Sequence, residues 1–194
     1  ETDLDRPNAW MGQPEQAVRF GGFDAWCRAG DDDQIRDVSE KLSEATRAIH
    51  AGAVEAQDPS LAARAIAYLE NNLITLVEQY PQTQFQLVFP PYSRAKLAIW
   101  HQYRLGDAEA HLAVIRYLAG LSGRLPNLHV FGYEDQDFLD DIARYKDMDH
   151  FDPGINSLLT RSIGQGQNRL TVTNVERYIT EARRRATAFQ LDDL

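Results

Sequence analysis

The sequence predicts an α/β protein, rich in helix and poor in strand, built on a pair of parallel strands. Three observations predict it. Two short apolar runs, 84–89 and 128–133, are aromatic and bounded by turn formers, as strands are. The chain between them holds two helical patterns, the long crossover that parallel strands require. Most other apolar residues outside the first thirty or so recur at helical spacing.

A chain of 194 residues, 43% hydrophobic and 25% charged, has the length and composition of one globular domain spanning 1–194. Its front, 1–33, scatters Trp10, Met11, Phe20, Phe23, Trp26 and Cys27 among glycines without a period, and predicts an irregular segment packing on another surface. Gly21-Gly22 has no preceding strand and no GKS-type ending, so it predicts a turn rather than a phosphate cradle. Asp31 to Asp33 cap a helix over 34–50, in which Ile35, Val38, Leu42, Ala45 and Ile49 share a face. A loose linker, 51–59, leads to Ser60, which opens a long helix to Gln79 with Leu61, Ile66, Leu69, Leu73, Leu76 and Val77 as its apolar side.

The first strand runs into Pro90-Pro91-Tyr92-Ser93. The prolines donate no ladder hydrogen bond and force an extended exit, so Tyr92 and Ser93 emerge at a strand end. Helices over 93–103 and 108–121 follow, and Ser93 also suits the N-cap of the first. After the second strand, 134–141 is too acidic to continue in a core and predicts a polar loop. Asp152 and Pro153 start a helix that stops at Gly164. Thr173 and Glu176 have capping-box spacing ahead of a last helix that turns basic at Arg183-Arg184-Arg185, a complement to the helix dipole.

Chemistry concentrates in Asp147-Met148-Asp149-His150, between the second strand and the helix at 153. A histidine general base needs one ring nitrogen held by an acceptor while the other meets a nucleophile, and an Asp three residues away supplies that acceptor. In open α/β sheets such loops, at the carboxyl ends of strands, are where ligands bind. The same four residues also suit a surface turn braced by Asp147.

The Pro-Pro-Tyr-Ser exit and the later Tyr145-Lys146-Asp147-x-x-His150 before a helix resemble the C-terminal half of the SGNH-type (GDSL-like) hydrolases, over about residues 60 to 180. The nearest likeness is to the branch found among bacterial cell-envelope and exopolysaccharide proteins. The resemblance implies a three-layer α/β/α fold and a Ser-His-Asp triad that hydrolyses or transfers ester groups, commonly acyl groups on carbohydrate. It implies a cell-envelope or periplasmic setting and no cofactor. Asp147 and His150 match the last catalytic element, and Tyr92 and Ser93 fall where substrate contacts are made. One departure matters: the family's Gly-Asp-Ser-like nucleophile turn is absent, and no Gly-x-Ser-x-Gly occurs. Two strands also cannot bury both faces of a sheet under helices. The expectation is that this chain is the C-terminal part of a longer SGNH-like protein, or that a partner chain completes the sheet.

A net charge of −9 argues against general affinity for nucleic acids or anionic membranes. A single cysteine, Cys27, makes no internal disulfide, and no apolar run is long enough to span a bilayer. Asp147, Asp149, His150 and Asp152 are hard metal ligands in type but lack calcium-loop spacing, so no metal site is expected. His101 and His111, both in helices, are expected at the surface or in grooves. Three functions fit: a serine esterase or O-acyltransferase on acylated carbohydrate, a non-catalytic carbohydrate-binding or assembly subunit with the same fold, and a helical interaction domain whose Asp-x-x-His is structural.

Overall fold

The computed structural model describes residues 32–145 and 147–191, and the irregular segment expected over 1–33 lies almost wholly outside them. Helix α1 (Asp32–His50) begins in the aspartate run. Helix α2 (Leu61–Leu69) passes through a π turn (Glu70–Ile74) into α3 (Thr75–Gln79), where one unbroken helix is expected from the pattern. The Thr75 hydroxyl donates to the Glu70 carbonyl across that turn, 2.9 Å away. Strand β1 (Phe85–Val88) leads to α4 (Arg94–Gln102) and α5 (Leu105–Ser122), then β2 (Leu128–Phe131), α6 (Pro153–Gly164), β3 (Arg169–Leu170) and α7 (Val175–Ala188).

The fold is α/β, as the pattern predicts. β1 and β2 pair in parallel from Phe85 opposite Leu128 to Val88 opposite Phe131, with α4 and α5 as the crossover. A third strand makes the sheet mixed rather than wholly parallel: β3 runs antiparallel to β2, in the order β1-β2-β3. Two residues are too few to show alternation, which is why the sequence conceals it.

Side chains alternate across the sheet and set the layers. Leu128 and Val130, with Phe85 and Leu87, face a core shared with α3, α5 and α7, including Val77, Leu112, Ile115 and Ile179. Phe131 and Val88 point the other way, against Ile155 and Leu159 of α6. Helices therefore cover both faces. Leu128 and Val130 are fully buried, each contributing about 1.5–3 kcal/mol from burial alone. Just past β2, a Cβ on Gly132 would lie 2.6 Å from the Tyr178 hydroxyl and 2.8 Å from Leu170, so only glycine lets α7 and β3 close here.

Caps show where the local signals hold. Asp152 accepts from the Ile155 N–H at 2.8 Å with Pro153 in the first turn, as expected. The capping box at 173–176 does not form. Asn174 takes the cap position, its amide tying Thr171 to Arg169, while the Glu176 carboxylate is drawn to Arg116 at 2.7 Å. Arg183, Arg184 and Arg185 of α7 close ion pairs with Glu109, Glu181 and Asp137, a solvated face rather than a bare basic patch. Among the described residues no helix is long and apolar enough to cross a membrane.

Candidate functional site

Because β1 and β2 are parallel, the Pro-Pro-Tyr-Ser exit and the loop that follows β2 open on one edge of the sheet. The two motifs meet there. The Ser93 N–H donates to the Met148 carbonyl at 3.0 Å, and the Tyr145 hydroxyl donates to the Pro91 carbonyl at 2.9 Å. Lys96, from the first turn of α4, pairs with Asp149 and places its ammonium 3.9 Å from the centre of the Tyr92 ring. An antiparallel bridge between Tyr145 and Phe151 closes the neck of the loop, and Arg144 grips Asp152 at 2.9 and 3.1 Å just outside it.

Inside this lobe Asp147 does two jobs. Its Oδ1 accepts from the backbone N–H groups of Asp149 and His150, both at 2.7 Å, an Asx-type turn that shapes the loop. Its Oδ2 lies 2.7 Å from Nδ1 of His150. An ionised carboxylate only accepts, so the proton of a neutral ring sits on Nδ1 and Nε2 carries the lone pair, the arrangement of a general base. Partial burial pushes the Asp147 carboxyl up, but the two N–H groups and the imidazole outweigh it and hold it below the usual aspartate range. The His150 side chain is 57% exposed, so the ring is reachable from solvent.

Tyr92 and Ser93, expected as substrate contacts, stand beside this loop in different states. Tyr92 is half-buried edge-to-face against Trp100, with ring centres 5.7 Å apart, and burial raises its hydroxyl pKa. Ser93 is 1% exposed and its hydroxyl caps α4, accepting from the Lys96 N–H. The hydroxyls of Ser60, Ser122, Ser157 and Ser162 are likewise engaged. Ser122 and Ser162 donate to backbone carbonyls within the core, Ser157 donates to Pro153 within α6, and Ser60 donates to Asp58. No hydrogen bond joins a serine hydroxyl to His150 among the described residues whose side chains are placed.

A second carboxylate–imidazole pair was not legible in the sequence. Glu134 belongs to the acidic stretch expected to be a polar loop, yet it is 1% exposed, and its Oε1 contacts Nε2 of His111 from α5. Of the surface and groove positions expected for it, His111 takes an enclosed groove: its side chain is 14% exposed, set between Phe89 and Trp100. The fully buried Arg94 binds the carbonyls of Glu134 and Gln136 and the carboxylate of Asp140 at 2.6 Å, tying α4 to the loop after β2. The signal that could have found it is Arg94 itself, a cation in the first turn of a helix, where the dipole disfavours it. His101 is half-buried, and burial lowers its pKa against the opposing pull of Glu134.

The loop's other carboxylates are taken by cations, Asp149 by Lys96 and Asp152 by Arg144, and no group of three metal-ligand side chains forms among the described residues. The chain matches no family model, no curated protein and no solved structure.

Proposed function

We propose that the protein is an SGNH-like serine esterase or O-acyltransferase acting on acylated carbohydrate, with His150 as general base and acid and Asp147 as its orienting carboxylate. The observation that carries this is the 2.7 Å contact of Asp147 Oδ2 with His150 Nδ1 on an exposed loop at the carboxyl edge of a parallel strand pair. In this reading Nε2 of His150 takes the proton of a serine hydroxyl, from a nucleophile not identified in this chain, as that oxygen bonds to the acyl carbon. The ester C–O bond then breaks, and the same proton passes to the departing sugar oxygen. Water or a second hydroxyl repeats the sequence in reverse and releases the acyl group. Asp147 steadies the imidazolium between the two transfers. Tyr92, beside the loop, and the Ser93 segment that hydrogen-bonds it are the proposed substrate contacts.

A second reading has its own support. The hydroxyls of Ser60, Ser93, Ser122, Ser157 and Ser162 are engaged elsewhere, which favours a carbohydrate-binding or assembly subunit that keeps the fold without turnover. One experiment separates them. The protein is treated with a fluorophosphonate, which phosphonylates only an activated serine, and the product is mapped by peptide mass. A labelled serine that disappears in His150→Ala supports the hydrolase or transferase; an unlabelled protein that still binds glycan supports the binding subunit.

A further inference from the structure

On the α1 side of the candidate loop lies a cavity of about 390 Å³. Its floor is Ile99, Trp100 and Tyr103 of α4 and its end, its far wall is α1 at Lys41, Glu44 and Ala45, and Met148 and Asp149 form the near rim. Asp149 is the residue next to His150, and its own N–H bonds the Asp147 carboxylate that orients His150. The cavity and the dyad therefore share a wall. Its size falls in the usual range for small-molecule sites, about 300–1,000 Å³.

The lining decides what such a site can hold. Three cations, Lys41, Lys96 and Arg104, face three carboxylates, Glu44, Glu55 and Asp149. Arg104 is bound to Glu55 at 2.7 Å and Lys96 to Asp149. With cations and carboxylates equal in number around it, and the whole chain at −9, the site offers no net positive field for a phosphate or a polyanion. Nor does it suit a hydrocarbon, because six ionised groups around the opening would lose hydration with nothing in return. A neutral polyhydroxylated ligand meets both conditions. Its hydroxyls can donate to the carboxylates and accept from the cations, and its apolar ring faces can lie on the indole and phenol.

We infer that this cavity is a subsite for neutral saccharide, holding the sugar chain one residue from His150. The inference deepens the proposed function, on which it rests for the role of the bound sugar, but the binding itself is separately measurable. Isothermal titration calorimetry of the full chain with cellotetraose, chitotetraose and maltotetraose, and with tripolyphosphate as anionic control, tests it. The expected result is saturable binding of at least one tetrasaccharide in the millimolar range or tighter and none of tripolyphosphate. Trp100→Ala removes the stacking surface, while Glu44→Trp on the α1 side fills the mouth without touching the core beneath α4. Each is expected to weaken binding by about tenfold or more. No saturable binding by any of the three sugars overturns the inference, as does binding that survives Glu44→Trp or a preference for tripolyphosphate. Serine labelling without sugar binding would leave the hydrolase standing and the subsite refuted; sugar binding without labelling would do the reverse.

Discussion

Asp147–His150 and Glu134–His111 are both carboxylate–imidazole pairs at the carboxyl edge of the sheet, and they differ in everything that surrounds them. The first joins residues three apart on a loop, with the imidazole 57% exposed. The second joins α5 to the segment after β2, with the carboxylate 1% exposed and the ring between two aromatic side chains. Chemistry needs a ring that a reactant can approach, and the exposed pair has one. An enclosed pair contributes instead to holding elements together, because either group left alone would be buried without its partner. Under the proposed function, the same two functional groups serve turnover at one place and architecture at the other.

The largest expected effect separates them by activity. His150→Ala should abolish serine labelling and ester turnover, a loss on the order of 10³–10⁶ in rate, while urea unfolding stays within about 0.5 kcal/mol of the parent protein. Asp147→Asn should follow it, since an amide can present its N–H to Nδ1 and stabilise the wrong tautomer. His111→Ala should do the opposite: about 3–5 kcal/mol of stability lost, with turnover per folded molecule kept. Equal turnover in the His150→Ala and parent proteins would break the comparison at its first half.

Next in size is Arg94→Leu. The guanidinium satisfies two backbone carbonyls and the Asp140 carboxylate while fully buried, so its removal leaves buried acceptors unpaired. A loss of about 2–4 kcal/mol is expected, read from the denaturant midpoint at unchanged m. If the midpoint does not move, the network around Glu134 is not what holds the loop after β2.

The contrast also explains what could be foreseen. Helix positions and the parallel pair were legible because their signals are local: apolar spacing in α5, prolines after β1, Asp152 ahead of Pro153. Asp147 and His150 were legible for the same reason, being three residues apart. Glu134 and His111 are 23 residues apart in sequence. In the chain, Glu134 looks like its neighbours Asp135 and Asp137, and only the tertiary fold decides which carboxylate is enclosed. The capping box failed by the same route, since Arg116, distant in sequence, outcompeted the helix end for Glu176. The cavity beside Trp100 depends on how α1 lies against α4, which no local pattern specifies.

A smaller effect belongs to Gly132. Alanine there would press its Cβ against the Tyr178 ring and Leu170, and a loss of about 1–3 kcal/mol is expected from overpacking. Tyr178 also receives the Glu134 N–H at 3.0 Å, so the same change should disturb the enclosed pair and leave His150 alone. Thermal unfolding with parallel serine labelling checks both halves. A variant of unaltered Tm would mean that α7 can withdraw from the strand end at no cost.

The smallest effect is set by pH and acts on the exposed pair. Burial alone would raise the Asp147 carboxyl, but the N–H groups of Asp149 and His150 and the imidazole hold it below its ordinary value. A depressed folded-state value means that the unfolded loop takes up the proton more readily than the folded one. The stabilisation is therefore complete above the ordinary aspartate value and is lost as pH falls through the lowered one. Because Asp147 is only partly buried and its imidazole partner is exposed, less than about 1 kcal/mol is at stake. That is too little to unfold the domain but enough to loosen the lobe between Tyr145 and Phe151. Hydrogen exchange should show the amides of Asp149 and His150 losing protection across that acidic window, while the Phe89 amide, bonded to Phe131 at 2.9 Å, keeps its own. In Asp147→Asn the pH step should vanish. Should the step persist in that variant, some other carboxylate shapes the loop, and the argument that Asp147 both builds the turn and aims the imidazole would fail together with the assignment of His150 as base.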